Sequence, residues 1–421
     1  MTDLASASFP PLDPARVLSL TRANFREMTR AMSLTARAVL KGALVVEIGA
    51  LAITFPNGQA FGIEGARPGP RAVVHVHDER VVRRVLLRGD LAFHEGYVDG
   101  AWSSPDVTAV LELFARNSDI IDRHLSASRL VRLGFRLKHW LNRNSRAGSK
   151  RNISAHYDLG NAFYSRWLDP GMTYSSALFE NGETDLAAGQ TAKYRHIAEM
   201  AGIRPGDHVL EIGCGWGGFA EFAAREYGAR VTGLTISREQ LAYARARIDA
   251  AGLADRVELK FQDYRDETGR YDRIVSIEMF EAVGERWWQP YFDILARCLK
   301  PGGRAALQVI CIQERFFEAY RAKPDFIQHY VFPGGMLPTS TALRQLSGVA
   351  GLVLTGEREF GQDYAATVRA WRQAFLAAWP EIAPLGFDER FKRLWAYYLH
   401  YCEAGFAAGN IDVRQVAFER V

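Results

Sequence analysis

The stretch VLEIGCGWGGFA, residues 209–220, decides how the rest of the chain is read. Val209, Leu210 and Ile212 end a strand, Gly213, Gly215, Gly217 and Gly218 make a loop, and Phe219 and Ala220 open a helix. Gly213, Gly215 and Gly218 satisfy the G-x-G-x-x-G spacing of a dinucleotide site. Such a site also needs an acidic residue at the end of the second strand, about 20 residues on, for the ribose. Here the second strand ends GLTIS at Ser237, with no carboxylate. Glu211 stands just before the first glycine, where an S-adenosylmethionine (SAM) site uses a carboxylate to orient the methionine and its loop. SAM has no pyrophosphate, so the glycines serve close backbone approach to the nucleoside and methionine. Asp263 in FQDYRD, at the third strand end, is an acceptor for the adenine amino group, with Tyr264 beside it. Ser237 and Gln240 fit a capping box, Ser at N-cap and Gln at N3, and the same loop can still contact the ribose. The balance favours SAM over a nicotinamide cofactor.

Outward from this loop, strands and helices alternate from about residue 200: DHVLEIG, ARVTGLTI, RVELKFQ, YDRIVSI and GRAALQVI as strands, with helical patterns between most of them. That alternation predicts a doubly wound parallel sheet. An aromatic insertion, residues 313–337, interrupts it. Toward the N-terminus, LVVEIGALAITF and NGQAFGIEG read as strand, Asn-Gly turn, strand. RAVVHVHD reads as another strand, ERVVRRVLLRG as a short helix, and WSSPDVTAVLELFARN as a helix opened by Ser-Pro-Asp. A length of 421 residues is long for one core, so two domains are expected.

Charge is nearly balanced at +4, but residues 123–157 hold no acid and many arginines and lysines, with leucines and Trp140 near helical spacing. Either a solvated linker or a basic amphipathic surface for anionic lipid headgroups accounts for this run. No nucleic-acid motif accompanies it. The cysteines, Cys214, Cys298, Cys311 and Cys402, are too dispersed for a metal or disulfide framework, as expected in a reducing cytosol. The N-terminal stretch has no apolar h-region, and the most apolar segment, ALVVEIGALAITF, is shorter than the about 20 residues a span needs. A soluble or peripheral protein is expected.

HYDLGNAFYSRWLDPGMTYSSALF (His156 to Phe179), VLEIGCGWGGFA, GLTISREQ, QDYRD, YDRIVSIEMFEAVG, LKPGGRAALQ, FPGGMLP, FGQDYAATVRAW, AWPEI and YYLHYCEAGF together resemble the cyclopropane-fatty-acyl-phospholipid synthase family, which includes the mycolic acid cyclopropane synthases. These are SAM-dependent enzymes that alkylate cis double bonds of lipid acyl chains. The resemblance implies an α/β fold with the class I SAM-methyltransferase, Rossmann-like doubly wound sheet. LLRGDLAFHEGYVDGAW resembles the end of the family's N-terminal α+β, sterol-carrier-like domain. The expected divisions are a lipid-binding domain at 1–122, a basic helical linker at 123–155 and the catalytic domain at 156–421.

Carried over by position, the resemblance implies that Tyr174, Ser175, Gly213, Cys214 and Gly215 line the SAM pocket, with Thr235, Ile236, Ser237, Gln240, Asp263 and Tyr264. It implies a bicarbonate ion as base, held by Ser176, Glu281, Gln308, Ile310 and Tyr364. The family usually has Cys at Ser176 and His at Gln308, and its FEHVG turn is FEAVG here, with Ala282. Ser and Gln can still hydrogen-bond an anion, but neither titrates near neutrality. Cys402 matches a cysteine the family often carries; a small buried residue on an aromatic helix is the favoured reading over a nucleophile. Anionic membrane phospholipid as substrate, a peripheral place at the cytoplasmic face of the inner membrane, and a homodimer are also implied.

The chemistry asks for three things. An alkene is a poor nucleophile, and its attack on a sulfonium methyl leaves a carbocation, so water must be excluded, the cation stabilised and a proton removed. Tyr157, Phe163, Tyr164, Trp167, Phe179, Phe316, Phe317, Phe332 and Trp371 can form a dry slot whose ring faces attract a cation. Glu281, just beyond YDRIVSIEMF, is the candidate base or the group that orients one, with Glu278 as competitor. Proton loss from the new methyl closes a cyclopropane; loss from a chain carbon leaves a methyl-branched or methylene product. Cyclopropane is favoured. A SAM enzyme for a soluble small molecule and a lipid-transfer module with a decayed catalytic half are the alternatives.

Overall fold

The loop at residues 213–218 lies between a strand and a helix, as expected, in a computed structural model that describes residues 17–125, 159–180 and 182–421. The chain divides into two units. One takes the described residues up to 125 together with Phe387–Asn410; the other takes those from 159 to 386 and Ile411–Val421. The basic run lies outside the described residues except at its first few positions. Among the described residues no helix is long and apolar enough to cross a membrane.

In the first unit, β1 (Val17–Ser19), β2 (Ile48–Thr54), β3 (Ala60–Glu64), β4 (Arg67–Val76) and β5 (Trp102–Ser103) form a sheet in the order β1-β3-β2-β4-β5. β2 and β3 are the predicted hairpin, turning at Asn57 and Gly58. The helix Val107–Arg116 is opened by Asp106, whose side chain accepts the Ala109 N–H, as the Ser-Pro-Asp signal suggests. A helix at Asp90–Val98 is additional to the sequence reading. So is the membership of the helix Glu389–Ala407, which was expected in the catalytic domain. Its Tyr397 hydroxyl bonds His94, and its His400 Nδ1 lies 2.7 Å from Thr108 Oγ1. Buried polar groups need such partners, and here they lie some 300 residues apart in sequence (292 for Thr108 and His400).

The second unit holds a seven-stranded sheet. Its strands are β6 (His208–Ile212), β7 (Arg230–Thr235), β8 (Val257–Phe261), β9 (Tyr271–Ile277), β10 (Leu299–Ile312), β11 (Leu352–Glu359) and β12 (Ile411–Arg420), in the order β11-β12-β10-β9-β6-β7-β8. β6 to β10 are parallel where they pair, as predicted. β12 runs antiparallel between β10 and β11, so the sheet is mixed. Both faces of the central strands are covered. Val209 packs with Ile197, Phe219 and Ala223 on one side; Leu210 and Ile212 pack with Tyr291, Phe292 and Leu295 on the other. A strand buried on both faces reads as a continuous apolar run, which is why VLEI was legible. Each such Leu or Ile contributes about 1.5–3 kcal/mol on burial. The parallel strands all end on one edge, and open α/β sheets bind ligands there.

Candidate active site

The glycine loop turns back on the sheet edge: Gly213 and Cys214 N–H both donate to the Leu234 carbonyl, at 3.0 and 2.9 Å. Gly213 sits at φ +84°, and a Cβ there would come 2.8 Å from Met279 Cγ. Gly215, at φ +52°, has nothing within 4 Å of its Cβ position, so the loop presents bare backbone to open space. Glu211, at the end of β6, is 3% exposed and its Oε2 has no protein partner. Burial pushes its carboxyl up to about 8, against the pull of the Ala220 amide and Lys193. An orphaned carboxyl oxygen beside an open glycine is what a cationic methionine group would satisfy, so these residues fit SAM.

The other expected cofactor residues gather on the same edge. Ser237 caps the helix Arg238–Ala250, its hydroxyl accepting the Gln240 N–H at 3.3 Å. The second half of the capping box differs. Gln240 Oε1 accepts from Thr235 Oγ1 instead, and Thr235 Oγ1 accepts the Ser237 N–H. Ile236, half-exposed, lies between them. Asp263 makes a two-pronged ion pair with Arg265, whose guanidinium nitrogens lie 2.8 and 2.6 Å from its oxygens. Tyr264 packs edge-on against Tyr291. Cys214 is buried and its thiol is pushed well up, so it is a spacer and not a thiolate.

The segment from residue 159 to 180 lies against this loop through specific bonds. Trp216 Nε1 donates to Asn161 Oδ1 at 2.7 Å, and Arg247 donates to the Trp216 and Gly171 carbonyls. Further on, the Ala177 and Phe179 amides donate to Thr367 and Asp363 of the helix Gly361–Ala377. Between these anchors the rings of Trp216, Tyr164, Tyr174, Trp371 and Tyr364 follow one another at centroid distances of 5.2 to 6.0 Å, flanked by Trp167 and Phe163. This row joins the glycine loop to the carboxylates below. Phe317 is elsewhere, against Trp288, and Phe179 lies against the Gly189 backbone. Tyr157 lies outside the described residues.

Ser176, Gln308, Ile310, Tyr364 and Glu281 do come together, with Glu278 among them. Gln308 pairs across the sheet with Ile277 on β9 and with Gln415 on β12, so the residue after Ile277 is carried to its side chain. Glu278 Oε1 accepts from Ser176 N–H at 2.8 Å and Gln308 Nε2 at 2.7 Å; Oε2 accepts from Tyr364 OH at 2.5 Å. Glu281 Oε1 accepts the Ile310 N–H at 2.5 Å, while its Oε2 is closed to solvent without a partner. Burial, then the charge of Glu278, raises the Glu281 carboxyl to about 8. Burial also raises Glu278, against its donors and Lys193.

Lys193 is a buried cation of this site that the sequence reading missed. It is fully buried, donates to Ser175 Oγ at 2.6 Å, and is lowered to about 8 by burial against the attraction of Glu278, Asp169 and Glu211. Gln190, Lys193, Ile197 and Ala201 share the inward face of the helix Leu186–Ala201. A lysine on an otherwise inward face at helical spacing was the available signal. Cys402 is on the helix Glu389–Ala407 of the first unit, whereas the other candidates belong to the second.

The family described as mycolic acid cyclopropane synthetase matches residues 144–416. The chain is 40% identical over 374 residues to tuberculostearic acid methyltransferase UfaA1 of Mycobacterium tuberculosis, covering 87% of this chain and 86% of that one. It is 37% identical over 368 residues to the cyclopropane-fatty-acyl-phospholipid synthase of Escherichia coli K12, covering 86% and 90%. The crystal structure of the mycolic acid cyclopropane synthase CmaA1 complexed with SAH and CTAB superposes with a TM-score of 0.61 at 29% identity, over 64% of this chain and 98% of that one.

Proposed function

The chain belongs to the mycolic acid cyclopropane synthetase family, a class of SAM-dependent lipid-modifying enzymes, and on that premise we propose that it alkylates cis double bonds in the acyl chains of membrane phospholipids, giving cyclopropane fatty acids. The observation that carries this reading is the buried carboxyl pair, Glu278 and Glu281, at the sheet edge next to a row of aromatic rings. Bound SAM supplies an electrophilic methyl group. The rings of Trp371, Tyr174 and Tyr364 exclude water and offer π faces to the cation that forms on the acyl chain. A carboxylate then takes the proton. No enzyme nucleophile is needed, so neither Cys214 nor Cys402 enters the reaction. The apolar chain is met at an anionic membrane surface, by a peripheral protein.

A second product is favoured by two observations: the residues facing the proton acceptor include Ser176 and Gln308, and the relative at 40% identity is a tuberculostearic acid methyltransferase. Loss of a chain proton in place of a methyl proton would give a methyl-branched product from the same cation. Expression in a host without its own cyclopropanation, followed by gas chromatography–mass spectrometry of fatty acid methyl esters, tests both. A gain of one CH2 with a ring is expected; a branched alkene supports the second product. With purified enzyme, labelled SAM and unsaturated phospholipid vesicles, absence of label from the acyl chains refutes the proposal.

A further inference from the structure

The family resemblance assigns a bicarbonate ion to Ser176, Glu281, Gln308, Ile310 and Tyr364. In this chain the donors of that set already hold carboxyl groups of the protein itself. The Ser176 amide, the Gln308 amide and the Tyr364 hydroxyl all donate to Glu278. The Ile310 amide donates to Glu281. Ser176 Oγ donates to the Ala177 carbonyl. Gln308 is fixed as a donor toward Glu278 by a relay: its Oε1 accepts from Gln415 Nε2 at 2.9 Å, and Gln415 Oε1 accepts from His196 Nδ1 at 2.5 Å. A free anion would find the donors of Ser176, Gln308, Ile310 and Tyr364 already engaged, and a carboxylate in its place. The residues do not fit bicarbonate.

Glu278 is also held at φ +50°, in the left-handed region that a non-glycine residue enters at a cost of about 1–2 kcal/mol. Strain of this kind persists where the surroundings over-determine a conformation, commonly at functional sites. Here it aims the carboxylate at three donors drawn from three other segments. The neighbouring charged or titratable groups are Lys193, Glu281 and Tyr364. Two adjacent carboxyls do not both ionise readily, and the one with three donors is the one that carries the charge.

We propose that Glu278 is the covalently held counterpart of the bicarbonate base, and that this enzyme removes the proton from the alkylated chain without any external anion. The inference rests on the alkylation reading above. The electron pair of the double bond forms a C–C bond to the methyl carbon as the S–CH3 bond breaks and S-adenosylhomocysteine leaves. A C–H bond of the resulting cation then breaks, its electron pair closing the ring or forming a new double bond, and the proton passes to Glu278 Oε2, which accepts from the Tyr364 hydroxyl.

The test is turnover of the full chain with labelled SAM and unsaturated phospholipid vesicles, in CO2-scrubbed buffer under argon and with bicarbonate added back. The wild-type rate should be the same in both. Glu278→Gly relieves the backbone strain and empties the anion position while keeping its donors. It should lose about 10²- to 10⁴-fold, the range for removing a general base, and regain at least about tenfold with bicarbonate. Glu278→Gln, which keeps the volume filled, should be equally slow and not rescued. A wild type that needs bicarbonate overturns the inference and leaves the alkylation reading standing. So does a Glu278→Gly variant that binds SAM normally by calorimetry but is either fully active without bicarbonate or not rescued by it. If the wild type labels no acyl chain in either buffer, the alkylation reading falls and this one with it.

Discussion

Glu281→Gln should change how stability depends on pH, in a direction the burial of this carboxyl sets. Glu281 Oε2 is shut from water with no partner, and the carboxyl is raised from 4.5 to about 8 by burial and then by Glu278. Between those values the folded protein keeps a proton that the unfolded chain has lost. Stability from this group is therefore complete below pH 4.5 and is lost as pH rises toward 8. The rise from 4.5 to about 8 amounts to about 5 kcal/mol in all. Over the two units from pH 5 to pH 7 the loss is about 2–3 kcal/mol. Gln keeps the acceptor for the Ile310 amide, matches the shape and never titrates. Glu211 is raised in the same way, but it is present in both proteins and cancels in the difference. Urea unfolding of the SAM-free proteins, followed by tryptophan fluorescence at pH 5, 6, 7 and 8, measures it. The variant should gain on the wild type by about 1 kcal/mol per pH unit, close to the slope of one proton. Parallel curves would refute the reasoning: the carboxyl would then ionise freely, and the pocket around it would be wet.

Gly215→Ala places a methyl group in the open space at the loop. It should lower stability by only about 1–2 kcal/mol, the left-handed penalty, yet weaken SAM at least about tenfold in calorimetry. Lys193→Met removes the cation facing Glu278 and Glu211 and the donor to Ser175. Methyl transfer should fall by about 10- to 100-fold, the worth of a charged hydrogen bond of about 1.5–3 kcal/mol, in the labelled-methyl assay. Cys402→Ala should keep methyl transfer within about threefold, since in the proposed reaction the alkene attacks the sulfonium carbon directly; a larger loss would mark the thiol as part of the reaction.

Sequence alone determined the parts whose signals are local. VLEIGCGWGGFA announced strand, loop and helix because an apolar run between two helical layers and a glycine-rich turn are written in consecutive residues. The same holds for the Asn57–Gly58 hairpin, the Asp106 cap and half of the capping box at Ser237. Several residues expected around the cofactor could be placed on one edge in this way, because parallel strands deliver their C-terminal ends there. Tertiary structure alone decided the division of labour between Glu278 and Glu281, three residues apart and chemically alike. The donors that single out Glu278 come from Ser176, Gln308 and Tyr364, which are 102, 30 and 86 residues away. It also decided that Lys193 faces inward, that β12 enters the sheet antiparallel, and that the helix Glu389–Ala407 belongs with the first unit. Local periodicity says which face of an element is buried. It does not say against what, and a carboxyl group's charge depends on what it is buried against.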